Sequence, residues 1–158
     1  MSAHITETPV ANMEFGDDGV RALFVKDTTA PGEARTWVAA YFLAHGRADA
    51  ISDARILVSE LVTNALREAT LFEVNGRAAI QATITRGPLA YRVGVYDGNP
   101  DPPPQPPETP ALDTEAGRGL VLVAAIAARW GSTPFTDSAR GHRGKYVWFE
   151  LPRTASDE

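Results

Sequence analysis

The chain contains no cysteine. Disulfides and thiolate metal sites are excluded outright, and the composition suits a reducing compartment. Histidine is scarce: His4, His45 and His142 are scattered and lack metal-ligand spacing, so no zinc site is expected. No apolar run approaches the ~20 residues needed to cross a bilayer. Residues Met1 to Asp18 are polar and acidic and hold no signal-peptide core. The expectation is a cytoplasmic protein without membrane contact. Excess positive charge is lacking as well. The net charge of −5 disfavours nucleic acid and anionic lipid as partners, since both demand a basic surface. A nucleotide needs only a few local donors and a bridging cation, so it is not disfavoured.

What is present suits one globular domain. The 158 residues are 44% hydrophobic, enough to bury a core without staples. Residues 1–19 lack periodicity and are expected as a loose tail, residues 20–152 as the domain, and residues 153–158 as a polar end. Val20 to Val25 reads as a short strand. Pro31 opens a helix through Ala44, because proline fits a first helical turn, and His45-Gly46 ends it. A second helix is expected from Asp53 to Ala69, with Ser52 as N-cap. Leu71 to Asn75 reads as a linker into an Asn75-Gly76 turn. Ala78 to Thr85 and Leu89 to Tyr96 form an antiparallel hairpin around Gly87-Pro88.

The composition then changes. Seven prolines fall between Asn99 and Ala111, a density that forbids helix and central strand and requires an exposed, polyproline-like loop. An apolar helix follows from Gly117 to Trp130, ended by Gly131. Thr133 to Thr136 and Lys145 to Leu151 are the remaining strand segments. Trp37, Trp130 and Trp148 are expected in the core.

The second helix carries the clearest chemical pattern. At ~100° per residue, Ala54, Val58, Leu61, Val62, Ala65, Leu66 and Ala69 share one arc. Asp53, Glu60, Asn64 and Arg67 share the opposite one. Glu60 and Asn64 are stacked neighbours one turn apart. An amide oxygen is a competent Mg²⁺ ligand. A carboxylate one turn away can take a proton from a hydroxyl attacking phosphorus, and Arg67 can neutralise phosphate charge. The same pattern also describes a solvated helix face. Ser59 and Thr63 lie beside the polar arc without a histidine base, which makes them helix-surface residues rather than nucleophiles.

Two turns complete the set. Asp97 ends an apolar strand and meets Gly98-Asn99-Pro100. A carboxylate there can accept from an adenine amine, or merely mark a turn leaving a strand. Gly117-Arg118-Gly119 precedes a helix start, where free N–H groups suit a phosphate. It can equally be a plain helix-entry turn. Arg118 can reach a γ-phosphate or remain solvated.

Taken in order, the motifs ELVTNAL, YDGNP, GRGL and GKYVWFEL resemble the histidine-kinase-like ATPase superfamily over about Val20 to Leu151. Within it, the chain is most similar to small bacterial anti-sigma-factor serine/threonine kinases and their actinobacterial relatives. The resemblance implies an α/β (α+β) two-layer sandwich. Its sheet is mixed and mostly antiparallel, with helices on one face and an ATP lid over Asn99 to Glu115. It implies ATP and Mg²⁺ as cofactors, Glu60 as general base and Asn64 as the Mg²⁺ ligand. Asp97 is implied as the adenine reader. Further nucleotide contacts fall to Arg67, Asn99, Gly117, Arg118, Gly119 and Leu120. The implied partners are an anti-sigma-factor antagonist as substrate and a sigma factor, and relatives that dimerise extend this to a homodimer. A non-catalytic, ATP-sensing binding module is the alternative.

Several positions depart from the family pattern. Glu68 replaces a usual histidine, and Asn99 replaces a glycine. Ser138 to Arg143 reads as an insertion. Tyr146 stands where the family's final strand carries an adenine-supporting threonine, which predicts an altered base contact.

Overall fold

The computed structural model describes residues 4–6 (backbone only), 19–101, 123 and 126–153. The first helix, α1 (Ala30–Ala44), starts as expected, with Pro31 in its first turn. Ahead of it Asp27 folds back, its Oδ1 accepting from the Thr29 N–H at 2.8 Å and from the Thr29 hydroxyl at 2.5 Å. Those bonds hold the Asp27 carboxyl below the ordinary carboxylate range. A single 3-10 turn, Ala48–Ala50, links α1 to α2 (Ile51–Ala65). Arg47 fastens this link. It is 5% exposed, donates to the Pro152 carbonyl at 2.9 Å and pairs with Asp49 at 2.9 Å.

Seven strands form one sheet: β1 (His4–Thr6), β2 (Gly19–Val25), β3 (Phe72–Val74), β4 (Arg77–Arg86), β5 (Ala90–Asp97), β6 (Arg129–Asp137) and β7 (His142–Pro152). The order is β1-β6-β7-β5-β4-β2, with β3 also paired to β4. Every pairing is antiparallel except β1 with β6. The expected two-layer α/β sandwich with a mixed, mostly antiparallel sheet is therefore the observed fold.

The two faces of the sheet differ because side chains alternate along each strand. One face carries Ile80, Ala82, Ile84, Val93, Val95, Val147, Phe149 and Leu151. These join Val38 and Phe42 of α1 and Ala54, Leu57, Val58, Leu61, Val62 and Ala65 of α2 in a single core. The other face is polar and aromatic. The Arg92 guanidinium lies 3.7 Å from the centre of the Trp148 ring, and Glu150 pairs with Arg92 and Arg129, each at 3.1 Å. Trp148 Nε1 donates to the Thr133 hydroxyl at 3.2 Å.

Several local expectations are corrected. The second helix begins at Ile51 with no side-chain cap, rather than at Asp53 behind Ser52. The second helix stops at Ala65, one turn before Ala69. The chain must turn there to reach the sheet, where the Thr70 hydroxyl bonds the Ala79 carbonyl at 2.7 Å. The 71–75 linker contains β3, which pairs Phe72 with Ala79 and Val74 with Arg77 around the Asn75-Gly76 turn; both turn residues have positive φ. Trp130 and Gly131 lie in β6 rather than at a helix end. Val123 and Ile126 are helical, but Arg129 onward pairs with β7. Within the stretch expected as a tail, His4–Thr6 pairs with Trp130–Ser132. Residues 138–141, expected within an insertion, are the turn between β6 and β7. Trp130 and Trp148 are buried as expected, whereas Trp37 is half-buried, edge-on to Phe24. No helix among the described residues is long and apolar enough to cross a membrane.

Two glycines let the backbone close up at the end of β5. A Cβ on Gly98 would lie 2.7 Å from the Ala69 carbonyl carbon and closer still to its oxygen. A Cβ on Gly144 would lie 2.8 Å from the Asp97 carbonyl oxygen and also strike the Tyr96 hydroxyl. Backbone cannot yield as a flexible side chain does. Gly98→Ala is therefore expected to lower the unfolding free energy by about 2–3 kcal/mol in urea denaturation. Arg47→Met, which keeps the apolar stem and removes the guanidinium, is expected to cost about 2 kcal/mol. Asp49→Asn should leave the urea midpoint nearly unchanged, because Asp49 is exposed and the Pro152 bond survives.

Candidate functional site

Glu60 and Asn64 lie in the last two turns of α2, on the side away from its buried residues. Both are half-buried, so Asn64 does not point into packed hydrocarbon. Their helical separation places them about 6 Å apart along the axis. The Asn64 Oδ1 accepts from Arg67 Nη1 at 3.3 Å, a long bond that a stronger partner can replace. Arg67 and Glu68 sit in the turn beyond the helix, where the Arg67 and Glu68 N–H groups close onto the Asn64 and Ala65 carbonyls. Ser59 and Thr63 are occupied structurally, as the sequence suggested. Arg35 Nη1 of α1 donates to the Ser59 hydroxyl at 2.8 Å, and the Thr63 hydroxyl donates to the Ser59 carbonyl at 2.7 Å.

Glu60 also borders an open groove of about 640 Å³ along α1 and α2, together with Arg35, Ser59, Ser52 and Arg55. Two arginines thus flank the approach to its carboxylate. Sequence reasoning passed over Arg35, whose relation to α2 depends on how two helices pack.

Asp97 closes β5 and is 8% exposed. Its Oδ1 accepts from the Asn99 N–H at 2.9 Å, and the Asn99 Oδ1 accepts in turn from the Asp101 N–H at 3.0 Å. Two successive side-chain-capped turns therefore carry the chain off the sheet. Asn99, standing where the family has glycine, contributes its own amide to the second turn. Directly across the ladder from Asp97 is Lys145 of β7. Its Nζ lies 3.6 Å from Asp97 Oδ1 and donates to the Asn99 carbonyl at 2.6 Å.

Lys145 is the residue the sequence reading missed, and the miss has a plain cause. Residues 145 and 146 occupy opposite faces of β7. Tyr146 was expected at the base contact, but it faces the polar side of the sheet and donates to Gln81 Oε1. Burial pushes the Tyr146 phenol well above its ordinary value, which keeps it protonated. The departure from threonine therefore leaves the Asp97 side of the sheet unaltered. The hydrophobic alternation of Val147 and Phe149, followed back two residues, would have assigned Lys145 to that side.

Asp97 stands next to the point where the strand end meets the chain leaving α2. Gly98 abuts Ala69 just past the end of α2, Asn64 occupies the last turn, and Glu60 the turn before. Asn99 is at the exit of β5, whereas the expected lid beyond Asp101 and the positions Gly117, Arg118, Gly119 and Leu120 lie outside the described residues. Among the described residues no cluster of three or more acidic or histidine side chains could hold a metal ion. A cation such as Mg²⁺ taken up with a nucleotide requires only one or two protein oxygens and completes its shell with phosphate and water. The half-buried, weakly engaged Asn64 oxygen is suited to such a role.

A family model for the histidine kinase-like ATPase domain matches residues 24–148. A comparison with curated proteins gives no match. The matched span runs from β2 to β7 and contains both α2 and the Asp97 turn. The chain accordingly belongs to the histidine kinase-like ATPase domain family, and ATP binding is the activity that membership suggests.

Proposed function

We propose that the chain binds ATP with Mg²⁺ between Asp97 and Glu60 and transfers the γ-phosphoryl group to a serine or threonine of an anti-sigma-factor antagonist. The observation that carries this reading is the contact of the Asp97 turn with the end of the segment that bears Asn64 and Glu60. With Gly98 against Ala69, and Asn64 and Glu60 in the last two turns of α2, that order would match a base at Asp97, phosphates at Asn64 and an acceptor hydroxyl at Glu60. Membership of an ATP-binding family supports the nucleotide. The kinase assignment rests on Glu60, because a module that only senses nucleotide has no use for a base beside an open groove.

In this reading Asp97 accepts from the adenine amine. Asn64 supplies the single protein oxygen to Mg²⁺, which screens the phosphate charge when bound. The acceptor hydroxyl enters past Arg35 and Arg55. Its oxygen bonds to the γ-phosphorus as the bond from that phosphorus to the ADP oxygen breaks, and Glu60 takes the hydroxyl proton. Phosphoryl transfer depends mainly on positioning and charge neutralisation, so this short set of groups suffices. Arg67, Asn99 and the Gly117 to Leu120 segment are assigned to phosphate contact on the strength of the family resemblance alone. Sigma-factor binding and a homodimer rest on the same ground.

The test is a transfer assay with ATP, Mg²⁺ and candidate antagonist proteins, scored by serine or threonine phosphorylation. Glu60→Gln is expected to slow transfer by about 100-fold or more while ATP affinity stays within about 2-fold. Nucleotide binding with no transfer to any antagonist would assign the chain to the ATP-sensing class instead. Separately, Asp97→Asn is expected to weaken ATP binding by about 10-fold to 100-fold in calorimetric titration. Unchanged affinity would remove the adenine assignment.

A further inference from the structure

We propose that Lys145 reads the base jointly with Asp97, by donating a hydrogen bond to the ring nitrogen N1 of adenine. The inference rests on the ATP-site reading above and adds a residue to it.

Three observations lead there. Lys145 stands directly opposite Asp97 in the β5–β7 ladder, on the face that carries the core and α2. Its side chain is only 5% exposed, which is rare for lysine unless the ammonium has work among polar groups. Finally, its hydrogen bonding among the described residues is incomplete. An ammonium has three N–H groups. Among the described residues one goes to the Asn99 carbonyl and one faces Asp97 Oδ1. The third has no protein acceptor there. Asp97 matches this, because its described bonds all fall on Oδ1 and leave Oδ2 to accept.

The pair therefore offers one acceptor, Asp97 Oδ2, beside one donor, Lys145 Nζ, which lies 3.6 Å from the other oxygen of the same carboxylate. The exposed edge of adenine offers the complement, a 6-amino donor beside the N1 acceptor. Both protein groups are pinned to the same backbone unit, since the Asn99 N–H holds Asp97 and the Asn99 carbonyl holds Lys145. Their order is thus fixed before ligand arrives. Guanine, with a 6-oxo acceptor beside an N1–H donor, would set its oxygen against the carboxylate. The close approach of β7 to Asp97 permitted by Gly144 keeps the lysine within reach.

The test compares ATP with 1-deaza-ATP, in which N1 is replaced by C–H, by calorimetric titration in the presence of Mg²⁺. The full chain is expected to bind 1-deaza-ATP about 10-fold more weakly than ATP. Lys145→Met is expected to lose that preference, binding both nucleotides with the weaker constant. Lys145→Arg, which keeps a charged donor, covers the case in which the methionine variant does not fold, and should retain the preference at least in part. Equal affinity of the unmodified chain for the two nucleotides would overturn the proposal, as would a preference that persists in Lys145→Met. If Lys145 served only to hold Asp97, the methionine variant would weaken both nucleotides by the same factor. That outcome sinks the inference but leaves the ATP site standing. Failure of the unmodified chain to bind either nucleotide would sink both.

Discussion

The site depends on how closely backbone meets backbone at the end of β5. Gly98 rests against the Ala69 carbonyl, and Gly144 rests against Asp97 and Tyr96. These two contacts bring a strand end, a neighbouring strand and the chain leaving α2 to one place. A side chain at either position would force them apart. The spacing between Asp97 and the chain leaving the Asn64 helix is thereby set by backbone packing and not by adjustable rotamers. Packing supports the arrangement from beneath. Leu61, Val62 and Ala65 are buried in the same core as Val93 and Val95, so α2 and β5 cannot slide past each other without exposing apolar surface.

The sheet divides two kinds of work between its faces. One is closed by helices and gains its stability from apolar burial. The other is held by paired charges, a stacked guanidinium and the Tyr146–Gln81 bond. Adjacent residues of one strand can therefore take unrelated roles, as Lys145 and Tyr146 do. Tyr96 obeys the same alternation. It sits next to Asp97 in sequence, yet its ring joins Phe72, Phe135 and Tyr146 on the far side of the sheet. Burial and the neighbouring Asp97 charge raise its phenol above the ordinary value, so it remains a neutral member of that aromatic group.

Much of this was legible in the residues. Pro31, the β4–β5 hairpin and the apolar arc of α2 appear where local chemistry placed them, because each is decided by short-range sterics or periodicity. What escaped was decided at long range. The end of α2 at Ala65 answers to the approach of β5, and β3 exists because β4 offers it an edge. Trp130 reads as helical by its neighbours, but its pairing partner Phe149 lies nineteen residues away in sequence. At the candidate site, residue type and spacing nominate Glu60, Asn64 and Asp97. Arg35 and Lys145 could not be selected in that way. The first depends on helix pairing, and the second on counting strand parity correctly by one residue.

Arg47 has a bearing on how the molecule is made. Its bond to the Pro152 carbonyl joins the α1–α2 connection to the last strand across 105 positions. A polypeptide leaves the ribosome amino end first, so the helical pair and the β4–β5 hairpin emerge long before the acceptor for this guanidinium exists. Until β7 arrives, an obligatory cation in the interhelical link stays hydrated. The nascent chain thus makes this closing contact late, with the strand that carries Lys145. The link between the helices and the sheet's closing strand is then made only after β7 has emerged.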